Sequence, residues 1–317
     1  MMDKWYYDIA FKIKIYQLSK QAFEDFFCQI MKAADDNFNR VKATGREGDG
    51  SCDGYNAITG DYYLVYSPED LTKEMTQSNA INKITNDLTG ITKKWKNISQ
   101  IYYVVNDKFC GLGPKVSKFF VEWQSSHQSP PIKLFSMEKL KNICLSLDEY
   151  HLQEILGFKP DLSNSKITIE YDVVSNIIEF LENNTGNVVF PDKYIVPDFS
   201  AKIKENELSQ MVADKLNYAK YYIAKLDDFF DKSIIYNKED LKNRMMELYS
   251  EACNKIPNDT VDFADARFVY IFKNLCYNVE SKAVVDNTLV IMALFFESCD
   301  IFEEPQEVKN VISAKTH

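Results

Sequence analysis

The sequence predicts an α/β domain followed by an all-α domain, and three observations carry that prediction. Five of the ten glycines fall between Gly45 and Tyr66, whereas none occurs from Asn187 to the C-terminus. Short aromatic and β-branched runs (61–66, 101–105 and 132–135) alternate with helical periods before Pro160. Beyond Pro160 only helical periods follow. The boundary therefore falls there, giving domains 1–160 and 161–317, each of ordinary domain size.

The elements follow in order. Residues 11–16, FKIKIY, alternate apolar and basic side chains, which predicts a half-exposed strand. Ser19 reads as the N-cap of a helix to about Ala34, with Ala22, Phe23, Phe26, Phe27, Ile30 and Met31 on its apolar stripe. Glu24 lies off that stripe and can point toward a site. Residues 40–44 form a short strand leading into the loop 45–54, in which every position except Arg46 and Cys52 is Gly, Ser, Asp or Glu. A hairpin follows, with strands 54–58 and 61–66 about a Thr59-Gly60 turn, so that Asp53 stands at its mouth.

Ser67-Pro68-Glu69-Asp70 combines a capping hydroxyl, an early proline and acids at the positive helix end. It predicts a helix to about Asp87, with residues 89–96 opening another. IYYVV at 101–105 is the best buried strand, and the turn Gly111-Leu112-Gly113-Pro114 launches a helix to about Trp123. Pro130-Pro131 precedes the strand 132–135, after which Ser136 and Ser146 cap two helices, the second stopped by Gly157. Further on, 201–230, 238–255, 262–279 and 283–298 are the helical periods. Tyr218, Tyr221, Tyr222, Phe229 and Phe230 form an aromatic stripe for a core or a subunit interface. The helix ending LVIMALFFESC is apolar on most faces, as a central or dimer-forming helix is.

Charge divides the chain as glycine does. Residues 1–160 carry 20 Lys+Arg and 20 Asp+Glu out of 37 and 47 in the whole, leaving 17 and 27 beyond. The acidic second half repels a polyanion and suits protein partners, while the neutral first half can approach nucleic acid if its lysines cluster. No apolar run reaches bilayer-spanning length and the N-terminus has no leader pattern, so the expected location is cytoplasmic. The seven scattered cysteines suit reduced thiols rather than disulfides or zinc.

Few chemistries remain. Only His127, His151 and His317 are present, none beside an evident nucleophile. There is no phosphate-binding loop, and the glycine spacing at 45–50 leads into a hairpin rather than a helix. Carboxylates are left. Glu24, Glu47, Asp49 and Asp53 are the hard oxygen ligands that one or two magnesium ions take in activating water against a phosphodiester. Equally, Asp49 and Asp53 suit turn positions, bonding their own backbone.

A helix carrying Phe23-Glu24, a strand, then GDGSCDGY (48–55) and a hairpin closing on YYLVYSPE (62–69) resembles the nuclease-like N-terminal domain of ABC-three-component defence systems. These include the Lamassu type, whose effector is similar to CD-NTase-associated members of the PD-(D/E)XK nuclease superfamily. Residues 101–157 look like the continuation of that domain, and VVDNTLVIMALFFESCDIF (284–302) is similar to the closing helix of the helical domain that follows it. The resemblance implies a restriction-endonuclease-like mixed sheet with flanking helices. It also implies an antiphage effector cutting double-stranded DNA with Mg²⁺ or Mn²⁺. Its implied partners are an SMC-like ABC ATPase and a third small subunit, and its helical domain would form homo-oligomers and dock those partners.

Carried onto this sequence, the resemblance makes Glu24 the helix acid and Asp53 the central metal ligand, with Asp49 as a further ligand. Lys42 would neutralise the scissile phosphate. The second hairpin strand departs from the pattern: Leu64-Val65-Tyr66 stands where Glu or Gln, any residue, then Lys is expected. Leucine binds no metal, and tyrosine offers a neutral hydroxyl in place of an ammonium. Either Asp49, Glu47 or Lys42 substitutes, or the fold survives as a catalytically degenerate scaffold for DNA-end contact or oligomerisation. Tyr66 belongs to the site in the first case and to packing in the second.

Overall fold

The computed structural model of the 317-residue chain describes residues 2–42, 51–68, 74–127, 130–162, 166–184, 198–277, 279, 281–298 and 300–305. It divides into two compact units, one of Lys14–Gly157 and one that joins Met1–Ile13 to Phe158–His317. The first 13 residues thus group with the helical part of the chain.

The strand expected over 11–16 is a helix. α1 (Met2–Gln17) runs through it, because apolar side chains surround this segment on most sides: Tyr6, Tyr7, Ile9, Ala10, Phe11, Ile13, Ile15 and Tyr16 are all buried. Lys12, which by alternation should face water, is only 6% exposed. Its ammonium bonds Asp8 one turn earlier and Asp262.

In the α/β unit, α2 (Lys20–Ala34) precedes β1 (Phe38–Arg40), β2 (Gly54–Asn56) and β3 (Asp61–Tyr66). Then follow α3 (Glu74–Lys94), β4 (Gln100–Val105), α4 (Pro114–Ser126), β5 (Ile132–Phe135), α5 (Met137–Leu145) and α6 (Glu149–Leu156). Among the described residues the strands form one five-stranded sheet in the order β1-β2-β3-β4-β5. β2 pairs antiparallel with both β1 and β3, while β4 runs parallel to β3 and β5 to β4. This is the mixed sheet that the alternating pattern predicts.

Alternation along β3 and β4 dresses both faces of the sheet. Leu64, Ile101, Tyr103 and Val105 meet Ala80, Ile84, Leu88 and Ile91 of α3 and Val116 of α4 in one buried cluster. Tyr63, Tyr102 and Phe135 turn the other way, where Phe27 of α2 packs on Tyr63 and Phe135 at 5.7 Å between ring centroids.

Local differences have local causes. The two helical segments expected between 67 and 96 are one continuous helix from Glu74, in which the hydroxyls of Thr85, Thr89 and Thr92 bond back to carbonyls four residues earlier instead of competing for the backbone amides. Residues 69–73, in the expected helix start, lie outside the described residues. Gly90 sits mid-helix because a Cβ there would come within 2.3 Å of Ser51 Oγ. β1 begins two residues before the expected strand 40–44, of which 43 and 44 lie outside the described residues. Ser136 caps α5, but the cap of α6 is Asp148, which accepts from the His151 amide at 3.0 Å; Ser146 instead closes α5.

The helical unit contains α7 (Tyr171–Asn184), α8 (Phe199–Glu205), α9 (Gln210–Lys220), α10 (Ile223–Lys232), α11 (Lys238–Lys255), α12 (Phe263–Leu275) and α13 (Lys282–Glu297). The expected single helix 201–230 is three, broken at 206–209 and at Tyr221-Tyr222. That second break splits the aromatic stripe: Phe229 and Phe230 are buried, while Tyr221 is exposed. In α13 every side chain from Val284 to Phe296 is buried, which makes it the central helix of this unit. Where α13 ends, the fully buried Lys202 donates to the carbonyls of Phe296 and Ile301 at 2.6 and 2.7 Å.

No helix among the described residues is long and apolar enough to cross a membrane. Among the described residues six cysteines form no disulfide, and Cys299 lies outside those residues.

Candidate functional site

The glycine after Asp53 is fixed by packing. A Cβ on Gly54 would fall 2.3 Å from the Phe38 ring, so only glycine lets β1 close over this end of β2. Asp53 is then pinned on three sides. Its amide donates to Tyr63 O at 3.0 Å, its carbonyl accepts from Val41 N at 3.0 Å, and its carboxylate Oδ2 accepts from the Val65 amide. The hairpin turn is tied by Asn56 Oδ1, which accepts from the amides of Ile58 and Thr59.

Asp53 stands between two polar clusters. On the α2 side, Cys28 Sγ lies 3.8 Å from the Asp53 carbonyl. Burial first, against the opposing charge of Arg40 and with help from Glu24, Asp53 and Asp25, pushes this thiol up to about 12. The charges of Glu24 and Asp53 both act on this thiol. Glu24 is not held toward Asp53, however: its Oε1 is 3.0 Å from the Arg40 guanidinium, which also bonds Asp25.

On the α3 side, Lys83 Nζ lies 2.9 Å from Asp87 and 5.9 Å from the centre of the Tyr66 ring. Tyr103 donates its hydroxyl to Asp87 at 3.2 Å. Burial raises both phenols. For Tyr66 the Lys83 charge opposes and Asp87 adds; for Tyr103 the charges of Asp87, Tyr66 and Asp53 all add. Tyr66, Lys83, Asp87 and the Tyr103 hydroxyl thus form one run of contacts on the α3 side.

The other site residues from the sequence are distributed as follows. Leu64 is 2% exposed in the core under α3, so that position faces hydrocarbon and offers no ligand. Lys42 is exposed just beyond β1. Glu47 and Asp49 lie outside the described residues. Sequence reasoning missed Arg40, Lys83 and Asp87. The spacing of Lys83 and Asp87, one helical turn apart, reads from sequence as a solvated surface pair, and nothing there shows that α3 lays them beside Tyr66.

Among the described residues no group of three or more His, Cys, Asp or Glu side chains converges as a metal site does. With Glu24 neutralised by Arg40, the described residues alone do not fit a divalent cation. A site for one would require Asp49 or Glu47.

Residues 172–303 match the family model for C-terminal domain 10 of the ABC-three component (ABC-3C) systems. The chain is also similar to a beta sliding clamp of Rickettsia bellii (strain RML369-C), 29% identical over 126 residues. That stretch is 39% of this chain and 30% of the clamp, so the chain spans less than a third of the length of this relative. No solved structure matches. The ABC-3C match lies wholly within the helical unit and supports the chain as a component of a multi-component prokaryotic defence system.

Proposed function

We propose that this protein is the effector component of an ABC-3C antiphage system of the Lamassu kind. Its α/β unit is a PD-(D/E)XK-like endonuclease acting on double-stranded DNA, and its helical unit docks an SMC-like ATPase and a small third subunit. The observation that supports this reading best is the position of Asp53. It is pinned at the mouth of the hairpin with its carboxylate on the amide of Val65, next to Tyr66 at the end of β3, where the resemblance implies the central metal ligand. The lysine missing at Tyr66 has a nearby cation in Lys83, and the exposed Lys42 is available to a phosphate. Mg²⁺ or Mn²⁺ remains the expected cofactor, with Asp49 or Glu47 needed to complete its ligands. The test is supercoiled plasmid incubated with purified protein and Mg²⁺ or Mn²⁺. Nicking or linearisation is expected from wild type and not from Asp53→Ala.

A second reading has its own support. The buried Leu64 and the Glu24–Arg40 ion pair are what a nuclease fold kept as a scaffold for DNA-end contact or oligomerisation would show. Salt-dependent DNA binding by wild type and Asp53→Ala alike, with no cleavage by either even in the assembled system, would select it.

A further inference from the structure

α10 ends and α11 begins across residues 233–237, and this connection holds two aliphatic side chains out in water: Ile234 is 102% exposed and Ile235 82%. The turn is built to hold them there. Ser233 Oγ accepts from the amides of Ile235 and Tyr236 at 3.3 and 2.9 Å, and Asn237 caps α11 through the Glu239 amide at 2.9 Å. Tyr236 stacks on Phe229 with centroids 6.0 Å apart and donates its hydroxyl to Glu179. Beside the isoleucines runs a groove of about 580 Å³ whose walls include Asp227, Asp231 and Lys238.

A fixed apolar projection loses little conformational entropy when a partner covers it, and it gains the burial of two branched side chains. Its charge indicates which partner. Asp228, Asp231 and Asp240 are exposed around the tip against Lys232, while Lys238 is paired with Asp227 at 2.7 Å and Glu239 with Lys242 at 3.0 Å, which leaves the tip acidic. A second copy meeting this patch across a two-fold axis would bring acid against acid. Anionic lipid would meet the same repulsion.

We infer that the 233–237 turn is the docking point for a different protein, whose surface offers an apolar pocket rimmed by lysine and arginine. This rests on the ABC-3C reading above, which supplies the candidate partners. The experiment co-expresses the full chain with the other two components of its system and measures the affinity of the purified assembly.

Ile234→Glu combined with Ile235→Glu should weaken assembly by at least about tenfold, as loss of a central anchor does. Asp231→Lys should weaken it in a salt-dependent way, and Tyr150→Ser, an exposed aromatic elsewhere, should not. Unchanged melting temperatures would show that the variants fold. A wild-type assembly that the double variant leaves intact overturns the inference and spares the ABC-3C reading. No assembly with wild type overturns both. A homodimer lost in the double variant, or flotation of wild type with phosphatidylserine–phosphatidylcholine vesicles lost in it, overturns the inference in favour of a second copy or a membrane.

Discussion

The carboxylate of Asp53 accepts the backbone amide of Val65, so the acid at the mouth of the hairpin is also a strut between β2 and β3. Structure and chemistry can be separated there. Asp53→Asn keeps an acceptor for that amide, whereas Asp53→Ala leaves it unpaired at a cost of about 1–3 kcal/mol. In denaturant unfolding, Ala should be the less stable variant by about that amount, while both lack nuclease activity. Equal stabilities would show that the strut carries no weight.

Arg40 and Glu24, 3.0 Å apart, make a partly exposed ion pair. Such pairs contribute about 0–1 kcal/mol, so Arg40→Gln should leave unfolding nearly unchanged. It should also free Glu24, and melting temperature should then rise further with added Mn²⁺ in this variant than in wild type. A Mn²⁺ response no greater than that of wild type would mark Glu24 as a structural acid.

Lys202 tests the core of the helical unit. Lys202→Met keeps the side-chain length but strips two buried carbonyls of their donor, and should destabilise the protein by about 2 kcal/mol or more. A neutral or stabilising result in thermal unfolding would mean that the relief of burying a charge outweighs those bonds.

The buried thiols set a pH dependence. Burial pushes Cys144 and Cys276 up to about 12, as it does Cys28, from the ordinary 9.0 of a thiol. The folded state therefore keeps protons that the unfolded chain releases, and the stability they lend, complete below pH 9, falls as pH rises toward 12. Unfolding free energy should decline over that window. A disulfide reagent at pH 8 should label the exposed Cys110 at once and these three only on unfolding. Rapid native labelling of Cys28 would contradict its burial.

Much of the α/β unit was legible in the sequence because its strands are short, aromatic and bounded by turn residues. Strand 61–66 and strand 132–135 coincide with β3 and β5. α1 was not legible, since the alternation of FKIKIY holds only if its lysines face water, and Lys12 is instead buried against Asp8 and Asp262. The break at Tyr221-Tyr222 was hidden for a related reason: an aromatic stripe continues the helical period whether or not the backbone does. At the site, Glu24, Asp53 and Tyr66 were nameable from sequence. Arg40, Lys83 and Asp87 were not, because only the pairing of β1 and the packing of α3 bring them to the same end of the sheet.

The most direct measurement is plasmid cleavage by the fully assembled complex carrying Asp53→Asn, a variant expected to stay folded. Wild-type complex should convert supercoiled plasmid to nicked or linear forms, and the Asn complex should be slower by about 100-fold or more, as loss of a central catalytic acid implies. Equal cleavage by the two complexes would contradict the assignment of the active site to Asp53.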